Sequence, residues 1–297
     1  MKNKTLILAD DGRELFSYSD SSFHVDICQD DYSSFYNAQL DTHFHNEVEY
    51  ICVLEGCIEY TINGAPYTLR KGDCAFTNSN VLHSSRSIGK TPAVTQVVLF
   101  PLTFLSDNLS DTITQKYIQP VAGKDLLGTL IDRTETGLSI MSTIEELSKQ
   151  DCSCFGYELC VASLIYMLWK HTVTYLCEED SLRFEGKAEY HNSEIAKNML
   201  NYIHAHFAEQ IVIPDIANAI CSSTSECFRC FKQFTGQTPV DYIQNYRLKQ
   251  AEKLLLDSKY SITEIGYQCG FYSSSYFSKL FKERFRMTPR EYRKMYG

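Results

Sequence analysis

The last third of the chain carries one stretch of residues twice, fifty positions apart, and this repetition limits its fold more than any other feature. Residues 230–242 read Cys-Phe-Lys-Gln-Phe-Thr-Gly-Gln-Thr-Pro-Val-Asp-Tyr, and residues 280–292 read Leu-Phe-Lys-Glu-Arg-Phe-Arg-Met-Thr-Pro-Arg-Glu-Tyr. Phe231 and Phe281, Lys232 and Lys282, Thr238-Pro239 and Thr288-Pro289, and Tyr242 and Tyr292 coincide. A repeat of this length marks one supersecondary unit used twice.

Each copy reads as a short helix, a break and a second helix. In the first copy, Pro214–Ile220 forms a short helix with proline in its first turn, where a missing N–H costs nothing. Cys221-Ser222-Ser223 is the break, and Ser223 can cap the next helix. Over Thr224–Phe234, helical periodicity puts Cys227, Cys230, Phe231 and Phe234 on one face. Ser225, Glu226, Phe228, Arg229, Lys232 and Gln233 are left outside. Gly236 ends the helix. The second copy runs from Ser261 to Cys269, turns at Gly270 and caps a helix with Ser273 or Ser274. Phe277, Leu280, Phe281 and Phe285 point inward there. Ser274, Ser275, Ser278, Lys279, Lys282 and Glu283 point outward. The first helices align at an offset of 49 and the second at 50, so the difference falls in the turn. Tyr242–Leu256 is the long helix between copies. Such a pair with a polar outer face on its second helix has the helix-turn-helix form that fits a major groove. A plain helical repeat with a solvated outer face is the competing reading.

The segment from about Ile195 to Tyr296 resembles the DNA-binding domain of AraC/XylS-type transcription regulators. The resemblance rests on Ser261-Ile262-Thr263-Glu264-Ile265, Gly270-Phe271, Ser275-Tyr276-Phe277-Ser278, Phe281-Lys282 and Met287-Thr288-Pro289. It implies that two recognition helices enter successive major grooves of promoter DNA. The positions carried over are Ser225, Phe228 and Arg229 in the first helix, and Ser274, Ser275, Ser278 and Lys279 in the second. Arg229 suits guanine and Phe228 a thymine methyl, while Lys232 and Lys282 suit phosphates. Three residues depart from the pattern. Cys221 replaces the usual turn glycine, Arg286 replaces a helix-ending glycine, and Glu226 stands where Tyr or His is common.

A net charge of −9 argues against a polyanionic partner until its distribution is considered. Residues 188–297 hold 14 Lys/Arg and 11 Asp/Glu, giving +3, and residues 1–187 hold 14 and 26, giving −12. An acidic front and a mildly basic back suit two domains with different partners, as does the length of 297 residues. The opening residues contain too short an apolar run for a secretory signal. Leu159–Trp169 is apolar, but Glu158, Lys170 and His171 bound it short of a bilayer span. A cytoplasmic protein without membrane attachment is expected. The twelve cysteines form no zinc framework: the Cys227/Cys230 pair reads as reduced, small hydrophobes, and Cys152 and Cys154 as ordinary thiols.

Residues 20–100 are rich in β-formers. Glu49–Leu54, Cys57–Ile62, Pro66–Leu69 and Ala93–Leu99 read as strands, divided by Glu55-Gly56, Asn63-Gly64 and Lys71-Gly72-Asp73. Asn63-Gly64 signals a hairpin, and the whole pattern suggests a barrel or jelly roll. His43, His45, Glu49 and Gly56 stand in the His-x-His-x3-Glu-x6-Gly spacing of cupin barrels, which this region resembles. Gly72-Asp73, Asn78 and His83 resemble the second cupin element, with its proline and glycine replaced by Asn78 and Asn80. The resemblance implies an effector pocket at His43, His45, Glu49 and His83. Three histidines and a glutamate are also donors for a divalent transition metal, though they serve equally to hydrogen-bond a ligand or one another. The nearby tyrosines and Asn78 would suit a sugar or other polar small molecule.

From 107 to 177 the periodicity turns helical, with Phe155, Leu159, Ala162, Ile165, Trp169, Val173 and Leu176 at steps of three and four. That stripe is either a dimer seam or a surface packed on the barrel. Residues 178–192 read as a linker, after which Ser193 caps a helix bearing Ile195, Met199, Tyr202 and Ile203. The expected architecture is α+β and multidomain. It has a cupin-like effector-binding barrel (1–106), dimerisation or packing helices (107–177), a linker (178–192), and an all-α domain (193–297) with helix-turn-helix motifs at about 214–235 and 262–285. The expected function is a non-enzymatic, sequence-specific transcription regulator, an activator by the family's habit. It would bind promoter DNA as a homodimer, answer to a small-molecule effector and meet RNA polymerase. A cupin metalloenzyme with a helical appendage, and a constitutive DNA-binding dimer, are the rival readings.

Overall fold

A computed structural model describes residues 13, 14, 18, 22–106, 111–122, 126–178, 187–257 and 260–296. The chain divides into two compact units between Ser193 and Glu194.

The first unit is built on two antiparallel sheets. Its strands are β1 (Asp26–Asp31), β2 (Gln39–His43), β3 (Glu47–Glu55), β4 (Cys57–Ile62), β5 (Ala65–Arg70), β6 (Cys74–Thr77), β7 (His83–Ser87), β8 (Val94–Pro101) and β9 (Gly128–Ile131). One sheet has the order β1-β8-β3-β6-β9 and the other β2-β7-β4-β5. Asn63 (φ 48°) and Gly64 (φ 84°) make the β4–β5 hairpin with Ile62 opposite Ala65, as an Asn-Gly pair at two positive-φ positions should. Strand β4 alternates strictly, with Ile58, Tyr60 and Ile62 buried toward the other sheet.

Strand β3 is buried along nearly its whole length because both of its faces are covered. Ile51 and Val53 face the interior between the sheets. Val48, Tyr50 and Cys52 face a second core closed by α4 (Glu135–Ser148) and α5 (Tyr157–Glu178), through Ile140, Ile144, Val161, Ile165 and Leu168. The Tyr50 hydroxyl reaches Thr172 Oγ1 of α5 at 2.7 Å. Cys52 and Cys74 stand directly opposite on β3 and β6 with Cα atoms 4.1 Å apart and are joined by a disulfide. That separation is typical of a non-hydrogen-bonded antiparallel pair. Sequence spacing does not single these two out among the cysteines; only strand register does. Cys152, Cys154, Cys227 and Cys230 are free thiols.

Three shorter helical pieces precede β9. They are α1 (Thr103–Ser106), α2 (Asp111–Ile113) and α3 (Gln119–Ala122), the last two joined by a π-type turn at Thr114–Ile118. Strand β9 falls inside the region expected to be wholly helical. It pairs with β6, Ile131 opposite Cys74, and completes the edge of the five-stranded sheet. Helix α5 packs on that sheet with Val161, Ile165, Leu168, Trp169, Thr172 and Leu176. Packing within one unit therefore accounts for one of its faces. Of the expected stripe, Ile165, Trp169 and Leu176 are buried and Ala162 and Val173 half-buried, whereas Phe155 lies before the helix and, with Leu159, is exposed.

The second unit is helical. It takes in the part of α6 (Lys187–His206) from Glu194 onward, then α7 (Ile213–Ala219), α8 (Thr224–Thr235), α9 (Pro239–Asp257), α10 (Ile262–Gln268), α11 (Ser274–Phe285) and α12 (Pro289–Tyr296). Helix α6 starts six residues before Ser193, which is buried within it and does not cap it. Residues 187–192 hold no glycine or proline to stop the helix. Residues 179–186 of the expected linker lie outside the described residues.

The two copies of the repeat superimpose in kind. Helices α7 and α10 have seven residues each, and α8 and α11 have twelve. The recurrent aromatics make the same edge-to-face pair twice, Phe231 with Tyr242 at 5.3 Å and 81°, and Phe281 with Tyr292 at 5.5 Å and 82°. Helix α9 binds both copies. Asn245 donates to Gln237 Oε1 after α8 and accepts from Arg284 Nη1 of α11, at 2.8 and 2.7 Å.

Candidate functional site

His43 ends β2, His83 opens β7 directly opposite it, and Glu49 lies on β3, with His45 in the β2–β3 turn. Strand alternation sends Glu49 inward between Val48 and Tyr50, which face the helices. One donor atom from each of His43, His45, Glu49 and His83 lies within 4.8 Å of the other three, and all four residues are buried. The cluster expected from the motif spacing is thus assembled in space.

The imidazoles are oriented by the main chain. His43 Nδ1 lies 2.8 Å from the Asp41 carbonyl, His45 Nδ1 3.0 Å from the Glu47 carbonyl, and His83 Nδ1 2.8 Å from the Val81 carbonyl. A carbonyl oxygen only accepts, so each Nδ1 carries the proton, and in the neutral ring each Nε2 keeps its lone pair. Outer hydrogen bonds of this sort fix the tautomer of metal-binding histidines. Glu49 Oε2 sits 3.4 Å from both His45 Nε2 and His83 Nε2. Its other oxygen accepts from the buried Tyr60 hydroxyl at 2.7 Å, and Tyr60 in turn meets Thr77 Oγ1 at 2.7 Å.

The electrostatics follow from burial and proximity. Burial holds His43 well below the ordinary imidazole range, reinforced by the His83 and His45 charges. Burial works against charge on Glu49 and on His83 as well. Their mutual attraction outweighs it, so Glu49 lies well below the usual carboxylate range and His83 is raised. Tyr60 is pushed far up by burial and by the Glu49 charge, and stays a hydrogen-bond donor.

The donor set fits a divalent transition metal. His83 Nε2 is buried and makes no hydrogen bond. The N···O spacings of 3.4 Å exceed hydrogen-bond length. They match the edge of a coordination shell, since two donors each ~2.1 Å from one ion lie roughly 3.0–3.4 Å apart. Asn78 does not join the cluster. Its side-chain amide is consumed by the Val121 and Leu126 carbonyls at 2.6 and 2.8 Å, so it clamps the segment before β9. Two groups absent from the motif reading do reach the site. Tyr60 is on β4, and Glu14 brings Oε2 to 3.3 Å from His43 Nε2. Alternation along β4 could have indicated Tyr60; no spacing indicates Glu14. On the other side of the five-stranded sheet, a largely apolar cavity of about 200 Å³ lies among Leu105, Ile118, Tyr166, Trp169 and Val173.

In the second unit, one face of each twelve-residue helix is core and the other is open. Cys227, Cys230, Phe231 and Phe234 of α8 are buried, as are Phe277, Phe281 and Phe285 of α11. Ser225, Phe228, Arg229, Lys232, Ser275, Lys279 and Lys282 are exposed, and Ser274 and Ser278 are half-buried. Leu280, expected inside, is half-buried too. Ser223 caps α8 and Ser273 caps α11, each accepting from a main-chain N–H of the first turn. Glu226 is drawn into local contacts, accepting from Ser222 Oγ at 2.9 Å and lying 4.0 Å from Arg229 Nη2. No helix of the described residues is long and apolar enough to cross a membrane.

Residues 216–295 match a family described as helix-turn-helix domain, and residues 37–100 one described as cupin domain. The uncharacterized HTH-type transcriptional regulator YdeC of Bacillus subtilis is 30% identical over 265 residues, covering 87% of this chain and 88% of that protein. The HTH-type transcriptional activator RhaS of Salmonella typhimurium is 26% identical over 272 residues, 86% of this chain and 88% of its own. Among solved structures, a transcriptional regulator with an AraC-type DNA-binding domain from Chromobacterium violaceum is 32% identical and covers 36% of this chain and 96% of its own, with a TM-score of 0.34.

Proposed function

This chain belongs to the AraC-type family of helix-turn-helix, DNA-binding transcriptional regulators, and on that premise we propose that its affinity for a promoter is set by a small molecule bound in the barrel. One observation carries the DNA half: α8 and α11 each bury an apolar face and leave cationic and hydroxyl side chains outside. On this reading Arg229 and Lys279 read base edges, Ser225, Ser274, Ser275 and Ser278 assist, Phe228 meets a thymine methyl, and Lys232 and Lys282 hold phosphates. The bond network through Asn245 supports fixed spacing between the motifs.

The effector half is supported by the buried cluster of His43, His45, Glu49 and His83, which gathers polar donors inside an otherwise apolar interior. These residues would hold a divalent transition metal through the three Nε2 atoms and Glu49 Oε2. Such an ion supplies a Lewis-acidic position for an anionic or hydroxylated effector, a sugar being one candidate. An effector shifts the regulator only by binding its DNA-competent arrangement better than the other. The printed name of RhaS supports activation. The naming of both relatives as regulators supports a binding role for the centre over turnover. The open face of α5 supports a homodimer, and contact with RNA polymerase and a cytoplasmic setting complete the reading.

The deciding experiment is selection of genomic fragments by the purified full-length protein, followed by sequencing. Enriched fragments should share two short elements about one helical turn apart, and affinity should fall steeply with salt. No enrichment at low salt, or a flat salt response, removes the reading. A thermal-shift screen, with and without divalent ions, then tests the effector half.

A further inference from the structure

We propose that the apolar cavity between α5 and the helical pieces before β9 is a binding site for a small amphiphile, an apolar body that ends in one anionic group. The site lies on the opposite face of the five-stranded sheet from the histidine cluster and rests on neither the metal nor the DNA reading. Its inner wall is Leu105, Ile118 and Trp169, all buried, with Val173 half-buried. Its mouth is Ile113, Tyr117 and Tyr166, all exposed. Tyr117 and Ile118 come from the π-type turn at Thr114–Ile118, a rare conformation that recurs at functional sites. The polar groups of the wall are already paired. The Trp169 indole N–H donates to the Tyr117 carbonyl at 3.0 Å, and Thr174 Oγ1 donates to the Lys170 carbonyl at 2.9 Å. A recess of this kind offers water few partners, so an apolar guest gains by entering it. About 200 Å³ filled to the ~0.75 packing density of a protein interior takes roughly ten heavy atoms of ligand.

Lys170 sets the polar end of the ligand. Among the lining residues it alone is charged. It is exposed and, among the described residues, its ammonium forms no ion pair and no hydrogen bond. A lysine in that position lays its aliphatic stem along the apolar surface and keeps its charge in water. An anionic group beside it would stay solvated while the rest of the molecule is covered. The competing occupant is a second copy of the chain, because the outer face of α5 is open. A helix with its side chains is about 10 Å across, which is too wide for a recess of this volume, so a second copy would fill it with a side chain or two and no more.

Trp169 is the only tryptophan of the chain, so its fluorescence reads the cavity wall directly. Full-length protein is titrated with sodium octanoate and, in parallel, with 1-octanol. The expected result is a saturable change in Trp169 emission, with one octanoate bound per chain. Val173→Phe fills the cavity and should abolish the response to both probes. Lys170→Gln should weaken octanoate about two- to five-fold, the worth of an exposed ion pair, and leave octanol unchanged. No saturable response to either probe overturns the proposal, as does a response that Val173→Phe leaves intact. Octanoate binding unchanged in Lys170→Gln overturns the anionic end. Trp169 emission that varies with protein concentration and not with the probes gives the cavity to a second copy and overturns the proposal as well. If Val173→Phe does not fold, as judged by thermal melting, Lys170→Gln decides from its exposed position. Selective loss of octanoate then supports the site, and titrations identical to those of the parent overturn it.

Discussion

Cys221 and Gly270 occupy the same turn in the two copies, and both adopt positive φ, 54° and 79°. Gly236 and Arg286, at 70° and 61°, repeat the comparison at the ends of α8 and α11. The backbone needs a left-handed residue at these positions whether or not the side chain is glycine. Cys221→Gly should therefore stabilise the protein by about 0.5–1 kcal/mol in urea unfolding. Gly270→Ala should destabilise by more, since a Cβ there would lie 2.5 Å from the Phe207 carbonyl oxygen. The exposed cations make a different prediction. Arg229→Ala and Lys279→Ala should each weaken specific binding by about 1–3 kcal/mol, measured on cognate against scrambled sites; an unchanged preference would exclude base contact. His204 supplies a pH dependence. Burial, then the Lys249 charge, lowers it to about 3 from an ordinary 6.5. Between those values the unfolded chain accepts a proton that the folded ring refuses. Its contribution is complete above pH 6.5 and erodes as pH falls toward 3, by up to about 1.4 kcal/mol per unit. His204→Gln should flatten that slope in unfolding curves at pH 5 and 7.

Among the elements, α10 has the best-defined start. Ser261 accepts from the Glu264 N–H while Glu264 accepts from the Ser261 N–H, a reciprocal capping box. Ser261→Ala should cost about 1 kcal/mol, read by thermal melting of the full chain; no loss would mean that α10 is held by packing alone. Elements with strong local signals were readable from sequence. Strand β4 matches its expected bounds, and the burial of Cys227, Phe231, Phe277 and Phe281 follows from periodicity. Strand β9 was hidden because a four-residue edge strand has no room to show alternation, and its partner β6 is about fifty residues upstream. The early start of α6 was hidden because polar helix formers and linkers share a composition. At the site, His43, His45, Glu49 and His83 were legible as a motif. Glu14 was not, because its place is set by a hydrogen bond to a main-chain atom, which no side-chain pattern encodes.

At the scale of the whole molecule, the acidic front and basic back agree with a division of labour between sensing and DNA binding. The structure accounts for one side of α5 and leaves Leu159 and Met167 exposed at 77% and 45% on the other. Exposed apolar side chains on a helix that already has a core face suit a second copy of the chain. Leu159→Glu should shift the sedimentation equilibrium of the full-length protein toward monomer while leaving its melting temperature within a few degrees; an unchanged mass distribution would rule out this seam. One strand joins the buried histidine cluster to that helix. On β3, Glu49 touches the histidines and its neighbour Tyr50 grips Thr172 of α5. The two side chains leave the same backbone in opposite directions, so one peptide joins the buried cluster on one face to the helix on the other. On the proposed reading, an effector that displaced Glu49 would pull on the strand that holds Tyr50 against α5, and a second copy docked on α5 would in turn bias the cluster.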